Sequence, residues 1–368
     1  MRVLFQSLQA SNRSGTGSYT VELLKSLAVL EDGPELVCLW PKEVYVPAGC
    51  ETVKWLQYPS SLAARLYLEQ WATSRLARKY GSDLVHFPAS VGTLLHKVPA
   101  VVTVHDLCYK IHPEWFPRTR VLYYNAFVGA GIRNAARIIA DSQATADDIL
   151  RFYDIPASRV DIIPLGVESR FHPANETDLR RVQERYHLPE SYFLFAGTLE
   201  PRKNLPRVLE AWSSLGDVSP ELVIAGRTGW KTDLTRFIKD KGYAQHRIHC
   251  LGYVPPEFLP ALYSGARAFV WPSLMEGFGL PPLEAMACGA PVITANTSSL
   301  PEVVGEAALT VAPTDVPALA GAMACLAGDA RMCKALREAG LQRAALFTWN
   351  RTAEMTVDVY KRVRPKTV

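Results

Sequence analysis

The chain has 368 residues, of which 48% are hydrophobic and 21% are charged, and its mean hydropathy is close to zero. This composition is typical of a globular protein and excludes a disordered chain, a collagen-like repeat and a disulfide-stapled miniprotein. The length favours two domains. The net charge of +4 comes from 40 basic and 36 acidic side chains in even distribution, so we expect no nucleic-acid partner.

The cysteines and the lack of long apolar runs indicate the cellular compartment. The cysteine count is odd at seven, and no two cysteines have CxxC spacing. This usage favours reduced thiols over disulfides or a zinc site. The segment MRVLFQSLQA is too short and polar for a signal peptide, and no apolar run approaches the ~18 residues of a membrane span. We therefore expect a cytoplasmic protein, with peripheral contact to a membrane surface left open.

Short apolar runs alternate with amphipathic stretches through the first half of the chain. The predicted strands are 3–7, 35–40, 84–87, 100–105, 138–141 and 161–164. The predicted helices are 17–30, 62–80, 120–135 and 143–152. Continuous apolar strands separated by helices indicate a parallel sheet covered on both faces.

The alternation pauses at 163–176, a stretch rich in Pro, Gly and polar residues that we interpret as an interdomain linker. It then restarts with predicted strands at 192–196, 221–225, 248–251, 268–271, 291–294 and 309–311. The predicted helices are 204–215, 232–241, 255–264, 282–288 and 316–326. The sequence thus predicts two doubly wound α/β domains, which bind ligands at the carboxyl ends of their strands.

The strongest motif lies at 269–293, FVWPSLMEGFGLPPLEAMACGAPVI. A buried strand leads into a glycine-bearing loop, and a short helix follows. Glu276 follows the strand, and Glu284 lies in the helix. A carboxylate can accept hydrogen bonds from two neighbouring hydroxyls, so Glu284 could bind a ribose diol while Glu276 faces the reacting sugar. Between them lies a run of backbone N–H groups suited to a pyrophosphate or to sugar hydroxyls, offered by Gly277, Phe278, Gly279 and Leu280.

This motif resembles the defining motif of family 4 retaining glycosyltransferases with the GT-B fold. The resemblance extends over nearly the whole chain, through SGTGSY (14–19), VVTVHDL (101–107), IIADSQATADDI (138–149), IIPLGVESRFHP (162–173), FAGTLEPRKNLPRVLEAW (195–212) and LGYVPPEFLPALYSGARAFV (251–270). The chain is most similar to the mannosyltransferase-B-like branch, whose members build O-antigen and related polysaccharides. The resemblance implies two Rossmann-like domains facing each other across a cleft: an acceptor-binding domain, 1–168, joined by a terminal helix, 347–368, and a nucleotide-sugar-binding domain, 169–346.

Two cations follow a strand in GTLEPRKN. Arg202 and Lys203 there suit the negative charge that develops on a departing nucleoside diphosphate. The resemblance assigns that role to Lys203. The common family pattern has an arginine where this chain has Thr198, so Arg202 or another cation must supply the second charge, or the phosphate is held more weakly.

Further site residues are implied mainly by the resemblance. His105, at a strand end in the first domain, matches the histidine that donates a hydrogen bond to a donor-sugar hydroxyl, and Asp106 either fixes its imidazole or caps the next segment. Gly17, in a loop where glycines permit positive φ and close backbone approach, would close over the donor phosphates. The base would lie near three positions of the second domain, Gly226, Arg227 and Val254.

No metal or cofactor is expected. The sequence contains no Asp-x-Asp, and its eight histidines show neither HxxxH nor HExxH spacing. The nucleotide sugar would be a co-substrate, with protein cations and loop amides in place of a divalent ion.

Two basic segments with aromatic residues, 62–80 and 114–133, could contact a membrane or a lipid-linked acceptor. The first places Leu66, Trp71 and Leu76 among arginines. Basic amphipathic helices of this kind lie either in a membrane interface or packed with a solvated face, and both alternatives stay open.

The sequence thus predicts a retaining, metal-independent hexosyltransferase that uses GDP-mannose and a hydroxyl of a growing, lipid-linked glycan. The nearest alternatives keep the fold and change the donor to UDP-GlcNAc, UDP-glucose or dTDP-rhamnose. An NAD-dependent oxidoreductase is disfavoured because no strand is followed by GxGxxG. A non-catalytic glycan- or nucleotide-binding partner protein is the alternative from another class.

Overall fold

A computed structural model describes residues 1–12, 15–41, 49–55, 67–92, 98–217, 219–227 and 234–363. The chain divides into two compact units. The N-terminal unit comprises Met1–Gly166 and Thr348–Val368, and the C-terminal unit comprises Val167–Phe347. The boundary between the units falls inside the predicted linker.

The N-terminal unit contains a sheet of seven parallel strands in the order β3-β2-β1-β4-β5-β6-β7. These strands are β1 (Arg2–Gln6), β2 (Glu35–Pro41), β3 (Cys50–Trp55), β4 (Leu84–Phe87), β5 (Ala100–Val104), β6 (Arg137–Ala140) and β7 (Val160–Ile162). Before the linker, the described residues of this unit form the helices α1 (Gly15–Val29), α2 (Thr73–Lys79), α3 (Cys108–Ile111), α4 (Arg118–Asn134) and α5 (Gln143–Phe152). Strands β4 and β5 are buried throughout, as their continuous apolar sequence predicts for the middle of a parallel sheet.

The C-terminal unit repeats this design with six parallel strands in the order β10-β9-β8-β11-β12-β13. They are β8 (Tyr192–Ala196), β9 (Glu221–Ala225), β10 (Ile248–Gly252), β11 (Ala268–Trp271), β12 (Val292–Ala295) and β13 (Leu309–Val311). The helices are α6 (Glu176–Tyr186), α7 (Leu205–Ser213), α8 (Leu234–Asp240), α9 (Leu259–Ser264), α10 (Leu280–Ala287), α11 (Leu300–Val304), α12 (Val316–Gly328) and α13 (Ala330–Ala344).

The predicted strands are confirmed to within two residues at their ends, but several elements were missed. Strand β3 and the helices α3, α6, α11 and α13 have no counterpart in the prediction. The predicted helix at 62–80 is replaced, in its described part, by a π-helical turn, Leu68–Ala72, and α2. Residues 62–66, 232–233 and 364–368 of predicted helices lie outside the described residues.

The last helix, α14 (Trp349–Val363), packs in the N-terminal unit. The Thr352 hydroxyl donates to the Pro164 carbonyl at 2.8 Å. The Tyr360 hydroxyl lies 2.5 Å from Nδ1 of His86 on β4, and the pKa of this buried histidine is lowered to about 3. Among the described residues, no helix has the length and apolarity to cross a bilayer.

Candidate functional site

The carboxyl ends of β8 and β11 bring three charged residues of the C-terminal unit together. The two strands are neighbours in the sheet, so the turn Pro201–Lys203 after β8 meets the loop after β11. Lys203 Nζ donates to Glu276 Oε1 at 2.5 Å, and Arg202 Nη1 donates to Oε2 at 2.7 Å. The indole N–H of Trp271 also donates to Oε1, at 3.0 Å. The carboxylate is therefore held by two cations and one neutral donor.

The charges of this cluster are coupled through burial. Glu276 is 6% exposed and Lys203 is 7% exposed. Burial alone would raise the pKa of Glu276, but Lys203 and Arg202 outweigh it and lower this pKa to about 2. Burial and Arg202 lower the pKa of Lys203 despite the attraction of Glu276. A second carboxylate, Glu200, accepts from Arg202 Nε at 3.0 Å. The cluster thus places two cations, both oriented by Glu276, at a strand end. An anionic ligand there would compete with Glu276 for them.

A serine pair braces the loop that follows Glu276. Ser298 adopts a left-handed conformation, φ +50°, and its hydroxyl accepts from the Glu276 backbone N–H at 3.0 Å. The Ser299 hydroxyl lies 2.9 Å from the Glu276 carbonyl and 2.6 Å from the Phe278 carbonyl. Because trans peptides point each carbonyl opposite to the next N–H, the N–H groups of Gly277 and Gly279 point away from Ser299. Leu280 then begins α10. The predicted run of amides is therefore oriented by side chains that the sequence did not single out.

Glu284 lies in the second turn of α10, beside a buried tyrosine. The Tyr263 hydroxyl donates to Glu284 Oε2 at 3.2 Å. Burial, reinforced by the charge of Glu168, raises the pKa of Glu284 to about 8. The Tyr263 bond and Arg170 act in the opposite direction without offsetting this shift. Hydroxyl groups that donate hydrogen bonds to this buried carboxyl would stabilise its ionised form.

The predicted base-binding positions have one close backbone approach and one side-chain contact. Gly226 has φ +148°, and a Cβ there would lie 1.8 Å from the Gly197 carbonyl oxygen, so only glycine permits this approach. The guanidinium of exposed Arg227 lies 4.4 Å from the ring centroid of Tyr253, next to buried Val254. Thr198 is exposed.

In the N-terminal unit, both ring nitrogens of His105 have partners. Nδ1 lies 2.6 Å from Asp141 Oδ2, and Nε2 lies 2.8 Å from the Pro88 carbonyl oxygen. Of the two roles open to Asp106, the structure shows the cap: its carboxylate accepts from the Cys108 N–H at 3.0 Å. Asp141, which directly follows the strand next to β5, was missed, although the alignment of neighbouring strand ends could have identified it.

The expectation of a positive-φ loop at Gly17 is wrong. Gly17 lies inside α1, and its φ is not positive. Its role is close approach instead, because a Cβ would lie 1.7 Å from the Asn12 carbonyl oxygen. Ser14, the first residue of the predicted loop, lies outside the described residues.

The described parts of the two basic segments are in contact within the N-terminal unit. Tyr123 on α4 donates to Glu69 in the π-helical turn at 2.6 Å. The exposed apolar side chains around this contact are Tyr67, Trp71 and Leu122. Leu76 packs against the core instead, and Leu66 lies outside the described residues.

No group of three or more His, Cys, Asp or Glu side chains suited to a metal ion occurs in the part of the chain that the structure describes. The polar groups of the C-terminal cluster are two cations, loop amides and the carboxylates of Glu276 and Glu200. Such a set suits a phosphate better than a divalent cation.

Two family models match the chain in succession. Residues 13–171 match Glycosyltransferase Family 4, and residues 177–343 match Glycosyl transferases group 1. Together with two Rossmann-like units, these matches define a glycosyltransferase of the GT-B fold. The chain belongs to family 4 of these enzymes, in the mannosyltransferase-B-like branch. This membership removes the oxidoreductase alternative.

Individual relatives agree with this placement. O-antigen chain mannosyltransferase B of Escherichia coli is 32% identical over 367 residues, which cover 95% of this chain and 96% of the relative. O-antigen chain mannosyltransferase RfbU of Salmonella typhimurium is 26% identical over 326 residues, or 84% of this chain and 86% of the relative. Among solved structures, sucrose-phosphate synthase from Thermosynechococcus elongatus superposes with a TM-score of 0.76 at 22% identity, covering 98% of each chain.

Proposed function

We propose that this glycosyltransferase transfers mannose from GDP-mannose to a hydroxyl of a growing O-antigen-type glycan, with retention of configuration and without a metal ion. The sugar and the pathway are supported by two relatives that are O-antigen chain mannosyltransferases. The chemistry rests on one observation in the structure, the pairing of Lys203 and Arg202 on Glu276.

The cations would act on the leaving group. When the bond between the sugar and the β-phosphate breaks, negative charge develops on the nucleoside diphosphate, and fixed cations in a dry site stabilise it. Lys203 and Arg202 already converge on one carboxylate, so a phosphate oxygen could take the place of either Glu276 contact. Arg202 would thereby supply the charge that the common family pattern draws from an arginine at the position of Thr198.

The remaining residues would bind and orient the donor. Once the diphosphate binds Lys203 and Arg202, Glu276 would be released from them and would position the sugar. The N–H groups of 277–280 would bind phosphate oxygens. Glu284 would accept the ribose hydroxyls. The segments at 226–227 and 254 would flank the base, and His105 would donate to a sugar hydroxyl. Gly17 would allow α1 to approach the donor phosphates closely.

A donor screen tests this proposal. Purified protein is incubated with GDP-mannose, UDP-GlcNAc, UDP-glucose or dTDP-rhamnose and a mannose-terminated acceptor, with and without EDTA. We expect turnover of GDP-mannose alone, unchanged by EDTA, and a product anomer identical to that of the donor by NMR. Turnover of a UDP or dTDP donor would overturn the sugar assignment, loss with EDTA would overturn metal independence, and an inverted anomer would overturn retention.

A matched pair of lysine variants tests the chemistry. Lys203→Met should reduce transfer by at least about 100-fold, in the range seen when a charge-stabilising group is removed. Lys334→Met, at a 78% exposed lysine side chain, should retain activity. If the wild type binds GDP but turns over no donor, the protein is the non-catalytic binding partner considered above.

We also propose that the chain acts at the cytoplasmic membrane face, where a lipid-linked acceptor would lie. The exposed Trp71 and Leu122, with the exposed Arg75 and Arg118 of the same two segments, support contact with anionic lipid. Sedimentation with vesicles containing phosphatidylglycerol, but not phosphatidylcholine alone, should bring down the wild type more than Trp71→Ser/Leu122→Ser. Equal sedimentation of both proteins would contradict this surface.

A further inference from the structure

The hydrogen-bond partners of His105 determine where its protons lie. The Pro88 carbonyl oxygen can only accept, so Nε2 must carry a hydrogen. Asp141 Oδ2, at 2.6 Å, accepts from Nδ1 when the carboxyl is ionised. The geometry therefore corresponds to an imidazolium that donates from both nitrogens.

Burial, the largest effect, raises the pKa of Asp141, and the charge and hydrogen bond of His105 oppose this rise. Asp141 is 2% exposed, and its second oxygen, Oδ1, has no hydrogen-bond partner among the described residues. An ionised carboxylate in this position depends on His105 for compensation. The carboxylate and the imidazolium stabilise each other, so the loss of either charge makes the other charge unfavourable in this buried position.

The residues packed around the ring differ in their effect on its charge. The α1 residue Tyr19 contacts the imidazole edge-on, with ring centroids 4.8 Å apart. His86 on β4 is neutral, since burial and the charge of His105 lower its pKa to about 3. Asp106, next in the chain, adds a second negative charge. Burial alone would lower the pKa of His105, but the Asp141 charge and hydrogen bond, the Pro88 carbonyl and Asp106 together raise it.

We propose that Asp141 is a positioning residue that keeps His105 protonated and its ring fixed, so that Nε2 donates from a cationic ring, and therefore more strongly, throughout the neutral range. Asp141 is buried and contacts Nδ1, on the other side of the ring from Nε2. Its bond can therefore persist while a sugar hydroxyl takes the place of the Pro88 carbonyl at Nε2. The expected role of His105 as a donor is thus set by a residue on the neighbouring strand. This inference rests on the proposed function for the role of His105, and on geometry alone for its charge.

The charge state is tested without any substrate. In ¹⁵N NMR of ligand-free protein, both ring nitrogens of His105 should show imidazolium shifts from pH 6 to 8, with the signals assigned by their loss in His105→Gln. A neutral His105 in the wild type at pH 7 would overturn the proposal, whether or not the protein transfers mannose. Because the measurement needs no donor, its outcome is separate from the outcome of the donor screen.

The positioning role is tested by Asp141→Asn, which keeps the shape and removes the charge. Without the carboxylate, the pKa of His105 falls to its ordinary value of about 6.5 or below, so about one molecule in ten or fewer stays protonated at pH 7.5. Activity should then drop about tenfold or more at pH 7.5 and recover toward pH 5.5, while the wild-type profile stays flat.

Two further variants complete the experiment. Asp147→Asn, at an exposed position on α5, should show the wild-type profile. Asp141→Glu, which restores a carboxylate, should recover part of the activity at pH 7.5. A pH profile of Asp141→Asn parallel to that of the wild type would refute the positioning role. If Asp141→Asn does not fold, the wild-type NMR titration and Asp141→Glu still decide the question.

Discussion

The Glu276 cluster leads to an asymmetric stability prediction. Glu276→Gln removes the carboxylate that both cations contact and leaves Arg202 its bond to Glu200, and breaking a buried pair in this way costs about 3–5 kcal/mol. Lys203→Met leaves Glu276 still bound by Arg202 and by the Trp271 indole, so its cost should be about 1–3 kcal/mol. The removal of the anion should therefore be the more harmful change, although both substitutions break the same contact.

Urea denaturation followed by tryptophan fluorescence measures this difference, since Trp212 and Trp271 both lie buried in the C-terminal unit. Glu306→Gln, at an exposed glutamate, is the control and should shift the midpoint little. Inorganic pyrophosphate should restore Glu276→Gln more than it stabilises the wild type, because it supplies the missing negative charge. The double variant should lose less than the sum of the single variants. Equal losses for the two single variants, or strict additivity, would refute the coupling of the charges.

Three further predictions follow from single contacts. Because the pKa of Glu284 is raised from 4.5 to about 8, the folded state binds its proton more tightly than the unfolded chain, and the free energy of unfolding should fall as pH rises through that range. Glu284→Gln should flatten this part of the slope in urea titrations at stepped pH, and an unchanged slope would contradict the shift. Gly226→Ala should destabilise the C-terminal unit severely in thermal circular dichroism, whereas Gly328→Ala, where a Cβ meets no atom within 4 Å, should be tolerated. Tyr360→Phe removes the hydroxyl on Nδ1 of His86 and should cost about 1–3 kcal/mol by chemical denaturation; no change would show that the bond is dispensable.

The elements that were predicted are those whose own sequence pattern indicates how they are buried. Strands such as β8 and β11 are apolar at every position because both faces of a parallel sheet are covered. Strand β3 was missed because it pairs with β2 alone, at the sheet edge, and includes Glu51 and Lys54. Helix α6 was missed although Leu179, Val182 and Tyr186 have helical spacing: its other residues are polar or charged, and Val182 is its one buried residue.

The candidate site shows the same division. Glu276, Glu284 and Lys203 were identifiable because each belongs to a motif that is contiguous in the sequence. The Ser299 brace and the Tyr263 bond were not, since each depends on a side chain some 20 residues away whose type is ordinary for a turn or a core. The two roles of Asp106 were left open by the sequence, and the residue that contacts the imidazole, Asp141, is 36 residues away from His105 with no motif that joins them.

Sheet order explains why the functional pairs are distant in sequence. Lys203 and Glu276 are 73 residues apart, yet β8 and β11 are adjacent because the chain crosses over at the centre of the sheet. His105 and Asp141 likewise follow β5 and β6, which are paired strands. In a parallel sheet all strands end at the same edge, so the residue after one strand meets the residue after its neighbour. A sequence pattern locates the strand ends, but only the strand order determines which of them are neighbours. In both units the ionic partner of the predicted residue lies at the end of the adjacent strand, and its identity could be derived only after that order was known.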